Sequence, residues 1–393
     1  MKKVCFYYRM FLYGGVEVSI LNLCKLIYKH CDVHFVYSDD SDKDFLDELS
    51  KYGKVEKIEQ GMTFDVIIWG GLYFEHRKVA QMITADYYVS WIHSIPFIYQ
   101  GCLLSDSTFM NQIDKFVCVS EEVKYQLKNV IGIDGEVIHN ELDSKNIIKK
   151  STEFEVKRKA KLEIVFVGRL SEEKGILRIP AFLEELKKEE PDYHLTMVGK
   201  AYYPQLLDKY MKALDGYNVD FVGKQTNPYP YIKNADFLIL FSDFESFGLV
   251  ITEAKILKVP VLITNFASAF EQIQSDVNGM IFRMNDEEIT RQLDDNPKNN
   301  IIVDKKQIKT LLKNHNKYVD NLEKWEYKSE YKKWLDILDS FKKLEDPVYR
   351  IANITYDDLF LKKRVIKWSK VKMSKERAEY LEEIGYVRKE NQI

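Results

Sequence analysis

At 393 residues with a formal net charge of −3, the chain is long enough for two domains and lacks the basic excess of a nucleic-acid binder. Apolar residues make up 46% and aromatics 13%, which excludes wholesale disorder. Five scattered cysteines (Cys5, Cys24, Cys31, Cys102, Cys118) form no CxxC pair and read as thiols of a reducing compartment, with no disulfide framework or zinc site.

The opening MKKVCFYYRMF is too short for a signal h-region and is broken at once by Gly14-Gly15. No stretch of eighteen apolar residues occurs, so a cytoplasmic protein is expected. The runs VCFYY, DVHFVYS, DVIIWG, YYVSWIH, KFVCVS and EVIHN read as strands, with helical patterns such as VEVSILNLCKLIYKH and EEVKYQLKNV between them. Ser120 stands where a helix N-cap is needed. A charged run at 149–161, KKSTEFEVKRKAK, reads as a linker. The alternation then restarts with LEIVFVG, HLTMVG, VDFVG, DFLILF, PVLIT and GMIF. Continuous apolar strands alternating with helices imply parallel sheets covered on both faces. The expected fold class is therefore α/β, with two Rossmann-like doubly wound domains. The boundaries are 1–148, the linker 149–161, 162–316, helices over 317–345, and a basic aromatic extension over 346–393.

Ligands of such sheets bind beyond the carboxyl ends of the strands, so residues there carry the chemistry. Arg169 and Lys174 flank the loop VGRLSEEKG after one strand. An arginine fork and a mobile lysine suit the two charges of a diphosphate. After DFLILF comes SDFESFGLVITEA, where Ser246, Phe247 and Gly248 open a helix whose free N–H groups favour an anion. Glu245 belongs in the loop ahead of that helix and Glu253 one or two turns inside it, an axial offset of at most about 12 Å. Carboxylates accept hydrogen bonds from vicinal hydroxyls, so sugar rings are natural partners.

Three pieces together resemble the retaining, family-four (group 1) glycosyltransferases of the GT-B class. They are GRLSEEKG, the E-x7-E pair in FESFGLVITEA, and PVLIT followed by FEQI and NG. The resemblance implies two Rossmann-like domains with a facing cleft, a C-terminal helical extension, and a nucleotide-sugar donor held by the second domain. It implies that Arg169 and Lys174 contact the diphosphate, Glu253 the ribose, and Glu245 the transferred sugar. Ser246, Phe247, Gly248 and Leu249 would line the sugar-phosphate, with backbone donors from the last three. Gly15 would offer a backbone donor to the phosphate, and His93, at the end of YYVSWIH, a neutral imidazole to the donor sugar. The loop 222–232, VGKQTNPYPYI, matches the segment that frames the base. Glu141 in VIHNELD replaces a glycine usual in the resembled family.

No DxD-like site follows a strand; Asp39-Asp40 and Asp294-Asp295 sit in polar stretches. The expectation is a metal-independent enzyme with no cofactor beyond the nucleotide-sugar, UDP ranking ahead of GDP. Its acceptor would be a glycan or a lipid-linked acceptor, in cell-envelope or exopolysaccharide biosynthesis. Residues 362–377 hold eight Lys or Arg and one Glu, with Leu361, Val365 and Trp368 at helical spacing. Such a basic amphipathic helix suits an anionic membrane surface and a peripheral location. A sugar-nucleotide epimerase and a non-catalytic partner subunit are the alternative readings.

Overall fold

A computed structural model describes residues 1–70, 79, 82–94, 113–131, 133–201, 203–266, 268–284 and 301–341. The chain forms two units, one of Met1–Leu142 joined by the segment from Lys328, the other spanning Asp143–Tyr327.

The first unit contains β1 (Lys3–Tyr7), β2 (Asp32–Tyr37), β3 (Lys54–Lys57), β4 (Met62–Trp69), β5 (Ile83–Ile92), β6 (Lys115–Cys118) and β7 (Glu136–Val137). The second contains β8 (Leu162–Val167), β9 (Tyr193–Val198), β10 (Val219–Gly223), β11 (Phe237–Leu240), β12 (Val261–Thr264), β13 (Gly279–Met284) and β14 (Ile301–Ile302). The sheet orders are β3-β2-β1-β4-β5-β6-β7 and β10-β9-β8-β11-β12-β13-β14, the same permutation twice. Within the second sheet β13 and β14 alone pair antiparallel among the described strands. In each sheet the order reverses beside the first strand, between β1 and β4 and between β8 and β11. That reversal is the topological switch point, where the loops diverge and leave room for a ligand.

The central strands are apolar because both of their faces are covered. Phe6, Val66, Ile67, Val165, Phe166, Leu238 and Ile239 are all buried. Helices supply the covering layers with one apolar stripe each. In Ile179–Glu189, Ile179, Phe182, Leu183 and Leu186 are buried, a spacing that keeps them on one face. Pro180 sits in the first turn, where its missing N–H costs nothing. Ser120 caps the helix Glu121–Gln126, its hydroxyl accepting from the Val123 N–H at 3.2 Å.

Among the described strands, two lie outside the expected list. β3, KVEK, is a charged edge strand, and β14 is a two-residue pairing. The charged run 149–161 lies against the second unit. The helix Ser144–Lys150 already belongs to that unit, and Arg158 pairs with Asp236 at 2.6 Å and Lys161 with Glu190 at 2.5 Å. The helical pattern expected near 317–345 resolves into two helices. Lys305–Glu323 starts at an Asp304–Gln307 capping box and packs in the second unit. Tyr331–Ser340 belongs to the first.

Glu141 has a structural job. It is buried, and its carboxylate accepts the Glu330 N–H at 2.7 Å and the Ser329 hydroxyl at 2.5 Å. Its carbonyl accepts from the Asn22 side chain at 3.1 Å. Glu330 in turn accepts from the His139 N–H at 2.8 Å and pairs with Lys333 at 2.7 Å. Burial raises the pKa of Glu330, but the bonds from His139 and Lys333 outweigh it and hold the carboxyl at about 2. The chain re-enters the first unit through this network. Cys102, Asp294-Asp295, the extension 346–393 and its segment 362–377 lie outside the described residues.

Candidate active site at the second switch point

The two loops singled out in the sequence follow β8 and β11, the strands that flank the second switch point. Gly168 ends the first strand. The loop then makes two short 3-10 turns, Glu172–Lys174 and Ile176–Arg178, hinged at Gly175 with φ +61°. A side chain at Gly175 would overlap the Phe241 carbonyl oxygen, so the loop packs directly on the end of β11.

The loops are stitched together at three levels. The Asp243 N–H donates to the Glu173 carbonyl at 2.8 Å. The Arg178 guanidinium donates to the Phe241 carbonyl at 2.8 Å and also bonds Asp243. Lys174 Nζ donates to Glu245 Oε1 at 2.6 Å, with the two side chains 19% and 11% exposed. The Ser242 hydroxyl donates to the same Glu245 oxygen at 2.7 Å. Lys174 and Glu245 therefore meet, although 71 positions separate them.

Arg169 stands at the start of the same loop as Lys174. Its Nη2 donates to Glu173 Oε1 at 2.8 Å and half of its side chain stays exposed. Burial raises the pKa of Glu173, but bonds from Ser171 and Arg169 leave it lowered on balance. A guanidinium held by one carboxylate yet open to solvent can still turn a face to an incoming anion.

Glu245 lies in the loop, and Glu253 is inside the helix Leu249–Ile256. Gly248 is the residue ahead of that helix, at φ +77°, a conformation that side chains resist. Phe247 is buried. Around Glu253 the protein is crowded, and burial lifts its carboxyl to about 7. The Tyr229 hydroxyl, donating to Glu253 Oε1 at 3.4 Å, pulls the other way. Tyr229 comes from the helix Tyr229–Asn234, part of the loop expected to frame a base.

The second unit thus brings Arg169, Lys174, Glu245, Ser246, Phe247, Gly248, Leu249 and Glu253 to one end of one sheet. Gly15 and His93 belong to the first unit, each just after a stretch of that sheet. Gly15 starts the helix Gly15–Ile27 beyond β1. His93 follows β5, its ring 4.3 Å from Trp91, and burial lowers its pKa to about 3. Its imidazole is therefore neutral at ordinary pH. Its Nε2 meets no partner among the described residues.

Residues 147–333 match the family described as glycosyl transferases group 1, a stretch that contains every second-unit residue above. The chain carries a group 1 glycosyltransferase domain. Relatives align mainly over part of their length. A Klebsiella pneumoniae protein of the cps region, described as an uncharacterized 41.2 kDa protein, is 29% identical over 191 residues, 47% of this chain and 48% of its own. The O-antigen biosynthesis glycosyltransferase WbnH of Escherichia coli is 29% identical over 132 residues, 34% of this chain and 36% of its own. The chain thus spans about half or less of these curated relatives. Anabaena HepE, solved in complex with UDP and glucose, superposes with a TM-score of 0.62 at 17% identity, covering 82% of this chain and 93% of that one. At that identity the likeness shows the fold alone, and the fold is the two-unit α/β architecture of the GT-B class.

Around this glycosyltransferase domain's site the sequence reading missed several residues. Ser242, Ser268, Gln272 and Tyr229 all hydrogen-bond the site loop or Glu253. Gln272 lies in the FEQI stretch and Tyr229 in the 222–232 loop, so both were within segments marked by the resemblance. Nothing in their spacing shows that their side chains turn toward the site. Among the described residues no helix is long and apolar enough to cross a membrane.

Proposed function

We propose that this protein transfers a hexosyl or N-acetylhexosaminyl group from a nucleotide-sugar to a glycan or lipid-linked acceptor, with retention of configuration, in cell-envelope or exopolysaccharide synthesis. The observation that carries the reading is the Lys174–Glu245 contact at 2.6 Å at the switch point, which joins the loop that carries Arg169 to the loop that leads into the helix holding Glu253. Two cations then meet the diphosphate, and two carboxylates meet the hydroxyl-bearing rings at its ends. Gly15 and His93 keep the roles the resemblance implies, a backbone donor to phosphate and a neutral imidazole donor to a sugar hydroxyl. The reading needs no cofactor beyond the donor. UDP ranks ahead of GDP, in keeping with the UDP held by Anabaena HepE.

Arg169, Lys174 and the amides at the helix start are fixed before reaction, so they stabilise charge as it develops on the leaving diphosphate. Retention then follows if the acceptor hydroxyl attacks from the face the diphosphate leaves, with a phosphate oxygen taking the proton. The relatives named for O-antigen synthesis support the envelope assignment.

The test is thermal denaturation against UDP-, GDP- and ADP-sugars. A donor at 100 times its dissociation constant should stabilise the fold by about 2.7 kcal/mol. UDP-sugars are expected to shift the melting temperature most, and no shift with any member overturns the reading. Product formed with no acceptor added identifies an epimerase instead.

The segment 362–377 is assigned to an anionic membrane surface from its charge alone. Removing residues 346–393 is expected to abolish cosedimentation with phosphatidylserine vesicles, and undiminished cosedimentation refutes the assignment.

A further inference from the structure

The site loop Ser242–Gly248 is held from behind by three side chains of one neighbouring segment. Thr264, at the end of β12, donates its hydroxyl to the Ser242 carbonyl at 2.6 Å. Ser268 donates to the Glu245 carbonyl at 2.8 Å. Gln272 donates its Nε2 to the Phe247 carbonyl. The three donors fall at every fourth residue, and all are buried. Gln272 is itself fixed twice, accepting from the Thr252 hydroxyl at 2.7 Å and, at its own carbonyl, from Lys255 Nζ at 3.1 Å.

A trans peptide unit is planar, with its C=O and the following N–H pointing in opposite directions. None of the described peptides is cis. Pinning a carbonyl toward 264–272 therefore turns the next N–H away from that segment. The Ser242–Asp243 peptide shows the effect directly: its carbonyl meets Thr264 and its N–H reaches the Glu173 carbonyl of the opposite loop at 2.8 Å. The next two pinned peptides aim the Ser246 and Gly248 N–H groups the same way. Neither N–H has a partner among the described residues.

We propose that Ser268 and Gln272 are positioning residues of the donor site, acting by fixing the Glu245–Ser246 and Phe247–Gly248 peptides so that their N–H groups face the sugar-diphosphate. This rests on the nucleotide-sugar reading above. Ser246 and Gly248 are half-buried, and two amides turned away from 264–272 and left open suit an anionic or hydroxyl oxygen. Free rotation of either peptide would let its N–H turn away and offer the ligand a repelling carbonyl.

The experiment measures binding of UDP-glucose, UDP and uridine by calorimetry to the full chain and to Ser268→Ala, Gln272→Met and Ser268→Thr. GDP-mannose and guanosine serve as a second donor pair. Ser268→Ala and Gln272→Met are expected to weaken the sugar-diphosphate by about tenfold, the loss of one bond to a charged group, while uridine affinity stays within twofold. Ser268→Thr keeps the hydroxyl and should restore the wild-type ratio. Melting temperatures taken alongside separate unfolding from mispositioning. Equal loss for uridine and UDP-glucose, or no loss for either, overturns the positioning role while leaving the donor reading intact. A wild-type chain that binds neither UDP-glucose nor GDP-mannose overturns both.

Discussion

Lys174→Met is expected to lower kcat for sugar transfer by between a hundredfold and a thousandfold, about 3–4 kcal/mol of barrier, the usual loss when one preorganised donor to a developing anion is removed. Two effects combine. In the proposed reaction the ammonium neutralises the departing diphosphate, and it also fixes Glu245, whose carboxylate it contacts at 2.6 Å. Without it Glu245 keeps only the Ser242 hydroxyl at 2.7 Å among its described side-chain donors. Leaving a partly buried carboxylate short of its cation costs about 1–3 kcal/mol of stability, so the variant should melt lower yet remain folded at assay temperature. Because Lys174 and Glu245 act through one contact, the double variant Lys174→Met/Glu245→Gln should lose far less than the product of the single losses. Steady-state kinetics on the four proteins checks this. A Lys174→Met enzyme within threefold of wild-type kcat removes Lys174 from the reaction.

The second large effect is on pH. Burial lifts the Glu253 carboxyl from an ordinary 4.5 to about 7. On the proposed assignment ribose hydroxyls donate to the Glu253 carboxylate and gain little from a neutral acid, so a donor would select the ionised form. Affinity for UDP-glucose should therefore be flat above pH 8 and weaken about tenfold per unit below pH 7, since each unit protonates the carboxyl tenfold more. Stability in the absence of ligand runs the opposite way. A group whose folded pKa is raised adds stability fully present below its unfolded value of 4.5, which is lost as pH climbs through about 7. The difference is worth roughly 3 kcal/mol between the two limits. Calorimetry across pH 5.5 to 8.5 in buffers of different ionisation enthalpy should register a proton released on binding at pH 6. Glu253→Gln should flatten the profile and weaken binding at high pH. A wild-type affinity that does not vary between pH 6 and 8 would falsify the Glu253 assignment.

Much of this architecture is legible in the chain because buried parallel strands must be apolar throughout. LEIVFV, HLTMV and FLIL cannot be confused with amphipathic elements, and in each of these three strands every residue but one of β8 is buried. The site loops are legible for a related reason: ligands gather where strands end. KVEK was invisible because an edge strand half in solvent carries charge, as the need to block further pairing favours. The run 149–161 looked like a free tether because its charges announce solvent. Their partners, Asp236, Asp220 and Glu190, stand between 29 and 78 residues away, and no local pattern reveals them. The break between the last two helices has the same cause. It is set by Glu141 and His139, nearly two hundred residues earlier. For the same reason Gln272 and Ser268 read as ordinary polar residues until the carbonyls they hold are in place.

The return of the chain through Glu141 has a consequence for synthesis. Trp334, fully buried, packs edge-on against Trp91 with ring centroids 4.8 Å apart, and Lys2 bonds the Leu338 carbonyl. The first unit thus begins the chain but is closed by its late helix. On the ribosome Ser329, Glu330 and Trp334 reach Glu141 and Trp91 only after the entire second unit is made. The second unit is continuous from Asp143 to Tyr327 and can fold as it emerges. The two units are therefore expected to be completed in the reverse of the order in which their first strands are translated.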